Sequence, residues 1–313
     1  MVETKPFLNV ALDCDLAAPY RNTIAIIGNL DGVHLGHQAL IEAAKKLAGD
    51  TPLSAVVFAP HPRQVFKPDT PPFLLTDLPT KADLLRRYGI ANTFALPFTA
   101  GLYTQSPETF VQVTLRQRLG LKGIVTGSDF QFGAGRTGDA AALKDLAQGA
   151  GMSAHSISPV PDADGTKYSS STVRQALRDG DPATAALHLG RQWQIRGTVI
   201  EGRKLARTLN FPTANLLLGD YVRPKYGVYV VNAHTPHGQF GGVANIGIRP
   251  TVDGAEERLE AHLFNFDDDL YGSPLAVDLL HFLRPEQKFD SIDSLKAQIA
   301  TDSDTAQAWL ARN

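Results

Sequence analysis

Cysteine is almost absent: Cys14 is the single one in 313 residues. This excludes an intramolecular disulfide and any cysteine-rich zinc centre, and it fits a reducing compartment. An excess of basic charge is also missing. Lys and Arg number 30 against 32 Asp and Glu, and neither half of the chain, divided at residue 186, is basic. A protein that grips nucleic-acid phosphates normally carries a cationic stripe, so no nucleic-acid partner is expected. No run reaches the ~18 apolar residues of a membrane span, and the N-terminus lacks a basic stretch followed by an apolar one. A soluble, cytoplasmic protein with no membrane partner is therefore expected. Neither an internal repeat nor a low-complexity tract stands out, and self-association leaves no signature.

What the chain does have is 43% hydrophobic residues, enough to bury a sizeable core, at a length that suits one large or two ordinary domains. Two are expected, residues 1–186 and 187–313. From Ile24 to about Ile157, short apolar strands (Ile24–Ile27, Ala55–Phe58, Thr93–Leu96, Gly123–Val125) alternate with helical stretches near Lys81–Tyr88, Pro107–Leu119 and Ala140–Ala147. Such alternation predicts a parallel sheet covered by helices, with its ligand beyond the C-terminal ends of the strands. After Gly180-Asp181-Pro182 and a short helix the character changes. Gln194–Ile200, Gly227–Ala233, Phe240–Asn245, Leu259–Phe266 and Ala276–Phe282 are rich in β-branched and aromatic residues and separated by turn residues. They predict an antiparallel β-barrel, with a final helix over Ser291–Ala311 closing one end.

The most informative segment is Gly28-Asn29-Leu30-Asp31-Gly32-Val33-His34-Leu35-Gly36-His37. It follows a buried strand and opens a helix through Gln38–Leu47. Backbone N–H groups and the helix dipole favour an anion there, and Gly28, Gly32 and Gly36 are expected to let the backbone turn and approach it closely. Two histidines three apart at that place suit ATP phosphates and nucleotidyl transfer. His61 and Asp129 also follow predicted strands, which brings them to the same edge.

These residues resemble a known family. The loop is similar to the GxFDGVHxGH motif of the nucleotidyltransferase domain in bacterial bifunctional riboflavin kinase/FAD synthetases, with Leu30 where Phe is usual. Phe58-Ala59-Pro60-His61-Pro62-Arg63, Gly127-Ser128-Asp129-Phe130-Gln131-Phe132-Gly133 and Ser169-Ser170-Ser171-Thr172-Val173-Arg174 resemble three further motifs in the family's order, with Ser171 replacing Thr. The resemblance implies a Rossmann-like domain in which the FMN phosphate attacks the α-phosphate of ATP. His34 and His37 would stabilise the reacting phosphates. Gly28, Asn29, Asp31, Gly36, His61 and Asp129 would hold nucleotide or flavin, with Arg174 on the pyrophosphate side.

In the second half, Gly197 through Asn215 looks like the riboflavin kinase motif in which a glycine-containing turn leads into Pro212-Thr213-Ala214-Asn215. The resemblance implies that Gly202 and Arg207 belong to the ATP-binding turn and that Thr213 and Asn215 help bind Mg²⁺, a cation that prefers hard oxygen ligands. Ala206 and Asn210 stand where Gly is usual. Asn245 and Arg249-Pro250-Thr251, and the string Glu260-Ala261-His262-Leu263-Phe264-Asn265-Phe266, resemble later kinase motifs, with Asn265 replacing Asp. By family position Glu260 is the base that takes the proton from the ribityl hydroxyl, and Arg284 helps hold nucleotide or flavin. Riboflavin, FMN, FAD and ATP follow as substrates or products. Two other readings stay open: an adenylyltransferase with a different acceptor, and a flavin or nucleotide sensor without turnover.

Overall fold

The computed structural model describes residues 7–161, 165, 167–201, 211–251 and 254–313. It divides into two compact units: Met1–Pro71 with Thr76–Ser169, and Pro72–Leu75 with Ser170–Asn313.

The first unit is built on β1 (Leu8–Asn9), β2 (Ile24–Ile27), β3 (Leu53–Ala59), β4 (Asn92–Pro97), β5 (Gly123–Gly127) and β6 (Ser153–Ile157). They form one parallel sheet in the order β1-β4-β3-β2-β5-β6. Alternate residues of β2 explain why it reads as a continuous apolar run: Ala25 and Ile27 enter one core with Val56, Phe94 and Leu115, while Ile24 and Ile26 enter the other with Ala55, Val57 and Ile41. A sheet buried on both faces has no polar face to display. Helix α1 (Leu35–Ala48) buries Leu40, Ile41, Ala44 and Ala48 and ends at Gly49, whose φ of +54° suits a residue without a Cβ. Further helices are α2 (Pro62–Phe66), α3 (Leu78–Arg87), α4 (Ala100–Tyr103), α5 (Pro107–Thr109), which continues as a π-helical stretch over Phe110–Arg118, and α6 (Ala140–Gly149). Because β3 and β4 lie on one side of β2 and β5 and β6 on the other, the chain reverses direction at β2, where an open α/β sheet leaves a crevice.

In the second unit α7 (Ser170–Asp179) and α8 (Pro182–Leu189) precede β7 (Trp193–Thr198), β8 (Ala214–Leu217), β9 (Gly227–Thr235), β10 (Gly238–Thr251), β11 (Gly254–Leu263), β12 (Pro274–Pro285) and α9 (Ile292–Leu310). Val173, Leu177, Ala185 and Leu189 share a core with Trp193 and Tyr229, so both helices pack with this unit, ahead of the division at residue 186. The strands run antiparallel in the order β7-β12-β9-β10-β11-β8, and a backbone bond from Ile200 N to Asn215 O at 3.0 Å brings the two ends together. The result is a nearly closed barrel. Helix α9 does not close an end of it. It lies along the outside of β9 and β10, where outward-facing Val228, Val230 and Val243 meet Ala306, Trp309 and Leu310. Gly241 makes the approach possible, since a Cβ there would collide with Leu310. Ile292, at the start of α9, is exposed.

Candidate active sites

The C-terminal ends of three neighbouring strands carry the first site. The loop after β2 ends at His34, His37 lies in the first turn of α1, His61 follows β3, and Asp129 follows β5. The loop's left-handed residues are Leu30 (φ +47°), Gly32 (+82°) and Val33 (+43°), whereas Gly28 and Gly36 have ordinary backbone. Side chains rarely adopt such angles. Leu30 and Val33 are held there because both are buried in the core with Ile26 and Ile41, and Leu30 keeps the apolar role of the usual Phe. Gly36 serves by its missing side chain instead: a Cβ would press on the His34 ring and on Tyr168.

The room it leaves is used by the two histidines, whose rings stack with centroids 3.7 Å apart at the start of α1. His37 Nδ1 is shut off from solvent without a hydrogen-bond partner among the described residues, as is Asn29 Oδ1. Burial, together with the charges of His34, Lys81 and Lys167, pushes the His37 pKa well below its ordinary 6.5. His37 is therefore neutral at pH 7, and a phosphate bound beside it would offset the neighbouring cations and favour its protonation. Lys81, a buried residue of α3, is a cation that sequence reasoning did not place here. Its position depends on how α3 packs, which no local string reveals.

Asp31 faces inward. Its Oδ1 accepts from Thr76 N at 3.1 Å and Thr76 Oγ1 at 3.2 Å, and Gly32 N donates to Thr76 Oγ1 at 3.2 Å. These bonds pin the loop to the segment entering α3. Thr76→Val should cost about 1–3 kcal/mol in stability, since buried polar groups lose a partner. A chemical-denaturation midpoint equal to the parent's would show that the hydroxyl does not hold the loop.

His61 caps α2, with Nδ1 accepting from Arg63 N at 3.0 Å while its own N–H donates to Gln64 Oε1 at 3.0 Å. An accepting Nδ1 places the proton of the neutral ring on Nε2, making that nitrogen the donor. Asp129 is largely exposed and pairs with Lys167 Nζ at 2.5 Å, a bond that lowers its pKa. Beside His61, Phe58, Phe66, Phe98 and Tyr103 form an aromatic cluster with ring centroids 5.2–5.7 Å apart, and Phe66 is 61% exposed. Arg174 lies on α7 in the second unit, where its Nε donates to Phe73 O at 2.7 Å and its guanidinium covers the Phe73 ring.

The second site is a cavity of about 820 Å³ on the outside of the barrel, between the strands and the chain running from Arg284 into α9. Strand register assembles it. Asn215 on β8 is the cross-strand partner of Glu260 on β11, Glu260 of Asn245 on β10, Asn245 of Val228 on β9, and Val228 of Arg284 on β12. Cross-strand partners share a face. Leu259, Ala261, Ala244, Ile246 and Leu216 point into the barrel core, so this row points outward, and all five members line the cavity. Thr213 lies beside the row, its Oγ1 3.5 Å from Asn215 Nδ2. His262 donates from Nδ1 to Pro212 O at 2.9 Å and steadies the turn before it. Gly202 and Arg207 lie outside the described residues, as do Ala206 and Asn210. Asn265 has φ +56°, a conformation Asn adopts more readily than most residues.

Residues 17–172 match the FAD synthetase family and residues 189–310 the riboflavin kinase family. The bifunctional riboflavin kinase/FMN adenylyltransferase of Escherichia coli strain K12 is 38% identical over 296 residues, covering 94% of each chain, and that of Pseudomonas fluorescens is 38% identical over 300 residues, covering 95% and 96%. The chain belongs to this family. A crystal structure titled as a macrolide-efflux protein from Streptococcus pneumoniae superposes with a TM-score of 0.82 at 31% identity, covering 94% of this chain and 96% of that one. Among the described residues no helix is long and apolar enough to cross a membrane.

Arg284 grips Asp302 on α9 through Nε to Oδ1 at 2.9 Å and Nη2 to Oδ2 at 2.6 Å, and Nη1 donates to Pro285 O at 3.0 Å. Its guanidinium thus ties the cavity wall to α9. Arg249, legible in the sequence only as part of Arg249-Pro250-Thr251, and Glu286, which no motif singles out there, both line the same cavity as Glu260. Their parts follow from side chains reaching between strands and loop, which motif order does not reveal.

Proposed function

We propose that the chain phosphorylates riboflavin to FMN with ATP on its C-terminal barrel and adenylylates FMN to FAD with ATP on its N-terminal sheet, releasing pyrophosphate. Family membership supports the two activities and their order. The row Asn215, Glu260, Asn245 and Arg284 across one barrel face is the observation that carries the kinase half.

In the kinase step the ribityl hydroxyl oxygen attacks the γ-phosphorus of ATP, its proton passes to a Glu260 oxygen, and ADP leaves. Positioning and charge neutralisation account for most of such a reaction. Thr213 Oγ1 and the amide oxygen of Asn215 are hard donors that fit Mg²⁺. Phosphate and water would complete the shell, as is usual for this ion. When bound, Mg²⁺ neutralises charge on the phosphate oxygens.

In the adenylyl step an FMN phosphate oxygen attacks the α-phosphorus, and the bond to the β-phosphate breaks. His34, His37 and the N-terminus of α1 face the developing charge, the Nε2 proton of His61 serves the nucleotide, and the exposed Phe66 ring offers a stacking surface for the isoalloxazine. The need for ATP in both steps supports a cytoplasmic setting.

Purified protein given riboflavin, ATP and Mg²⁺ should yield both FMN and FAD on a chromatogram, and neither without Mg²⁺. Tight flavin binding with no nucleotide product would instead favour a sensor.

A further inference from the structure

Glu260 is clasped by one residue. Arg249 Nε donates to Glu260 Oε1 at 3.1 Å and Nη2 to Oε2 at 3.1 Å, two bonds from one planar group. The remaining arm, Nη1, donates to Glu286 Oε1 at 3.0 Å, an oxygen that also accepts from Asn245 Nδ2 at 3.2 Å. One guanidinium therefore spans two carboxylates, a fork that the point charge of Lys does not reproduce. Burial works against the Arg249 charge, but the bonds and charges of Glu260 and Glu286 outweigh it and raise its pKa. Glu286 reaches this place by lying over Gly247, where a Cβ would collide with its carboxylate.

We infer that Arg249 is the positioning residue for Glu260 and that Glu286 anchors Arg249. The inference rests on Glu260 being the kinase base. A carboxylate free to rotate about its last bond presents its lone pairs in many directions, whereas one held in a fork presents them in a fixed plane. An ionised carboxylate has roughly four lone-pair positions. Arg249 engages one on each oxygen, so one on each stays available to a hydroxyl. This is the logic of a base oriented by a third group, which recurs wherever a proton must move in one direction. Three charged side chains from β10, β11 and the segment after β12 are thereby fixed relative to the row that carries Asn215 and Asn245.

The test uses the full chain and measures riboflavin phosphorylation, riboflavin binding and thermal midpoint for Arg249→Lys, Glu260→Gln, the double variant and Gly247→Ala. Misplacing a reacting group by about 1 Å costs on the order of a hundredfold. Arg249→Lys should accordingly lower kcat by roughly 10- to 100-fold, with KM for riboflavin within a few-fold and the midpoint near the parent's. In the Glu260→Gln background the same change should cost nothing further, because it acts through a group already disabled. Gly247→Ala keeps every charge and displaces only Glu286, so a fall of several-fold is expected even if Arg249→Lys does not fold. Parent-like kcat in Arg249→Lys or in Gly247→Ala overturns the proposal, as does an equal loss with and without Glu260, or an effect confined to KM for ATP. If Glu260→Gln, with Arg249 intact, keeps the parent rate, the base assignment itself fails and is recognised separately.

Discussion

His37→Ala stops FMN adenylylation, by about a hundredfold or more, while riboflavin phosphorylation continues and FMN accumulates. The expectation comes from where the ring sits: stacked on His34 at 3.7 Å, at the start of α1, with Nδ1 shut off from solvent and its pKa pushed down by burial and neighbouring cations. A neutral imidazole surrounded by positive charge is prepared for an anion. Arriving phosphate reverses the electrostatic balance and strengthens every donor in the loop, most of all in the transition state, where charge on the transferred group is redistributed. The measurement is FAD formation from supplied FMN, beside FMN formation from riboflavin. FAD made at the parent rate would reduce His37 to a packing residue. The same variant reports on stability. Because the folded chain holds the His37 pKa below 6.5, the unfolded chain takes up the proton first as pH falls, so His37 lowers stability below about pH 6.5 and has little effect above it. Replacing it with Ala should flatten that acid-side decline in the denaturation midpoint.

Glu260→Gln should lower riboflavin phosphorylation by roughly 10² to 10⁴, the range lost with a general base. Gln matches the shape of Glu and can still accept from Arg249 through its amide oxygen, but it cannot take a hydroxyl proton. The residue stands second in the row, between Asn215 and Asn245, and lines the cavity with 28% of its side chain exposed. Flavin binding should change little. FAD synthesis from supplied FMN should run near the parent rate, because another unit performs it. Kinase activity within a few-fold of the parent would remove Glu260 from the chemistry. Loss of both activities together with the fold would mark it as a structural partner of Arg249.

Residue order alone determined a good deal. The all-apolar β2 and its neighbours announced a sheet buried on both faces, and the β-branched and aromatic runs separated by turn residues announced the barrel, because residue preferences and side-chain periods are local properties that a string displays. The placing of His34, His37, His61 and Asp129 just after strands was legible for the same reason: in a parallel sheet every strand end of one kind lies at one edge. What required the tertiary structure was whatever depends on pairing between distant segments. Register set Asn215, Glu260, Asn245 and Arg284 in one line, and a shift by one residue would have turned Glu260 into the core. Burial in a shared core, not glycine, holds Leu30 and Val33 at positive φ, and Thr76, far along the chain, turns Asp31 inward. The outward apolar strip of Val228, Val230 and Val243 drew α9 along the barrel wall instead of across its end. Arg249 joined Glu260 to Glu286 because adjacent strands and a returning segment brought three side chains within hydrogen-bond reach. Local chemistry thus named the participants, and the packing of distant elements assigned their partners.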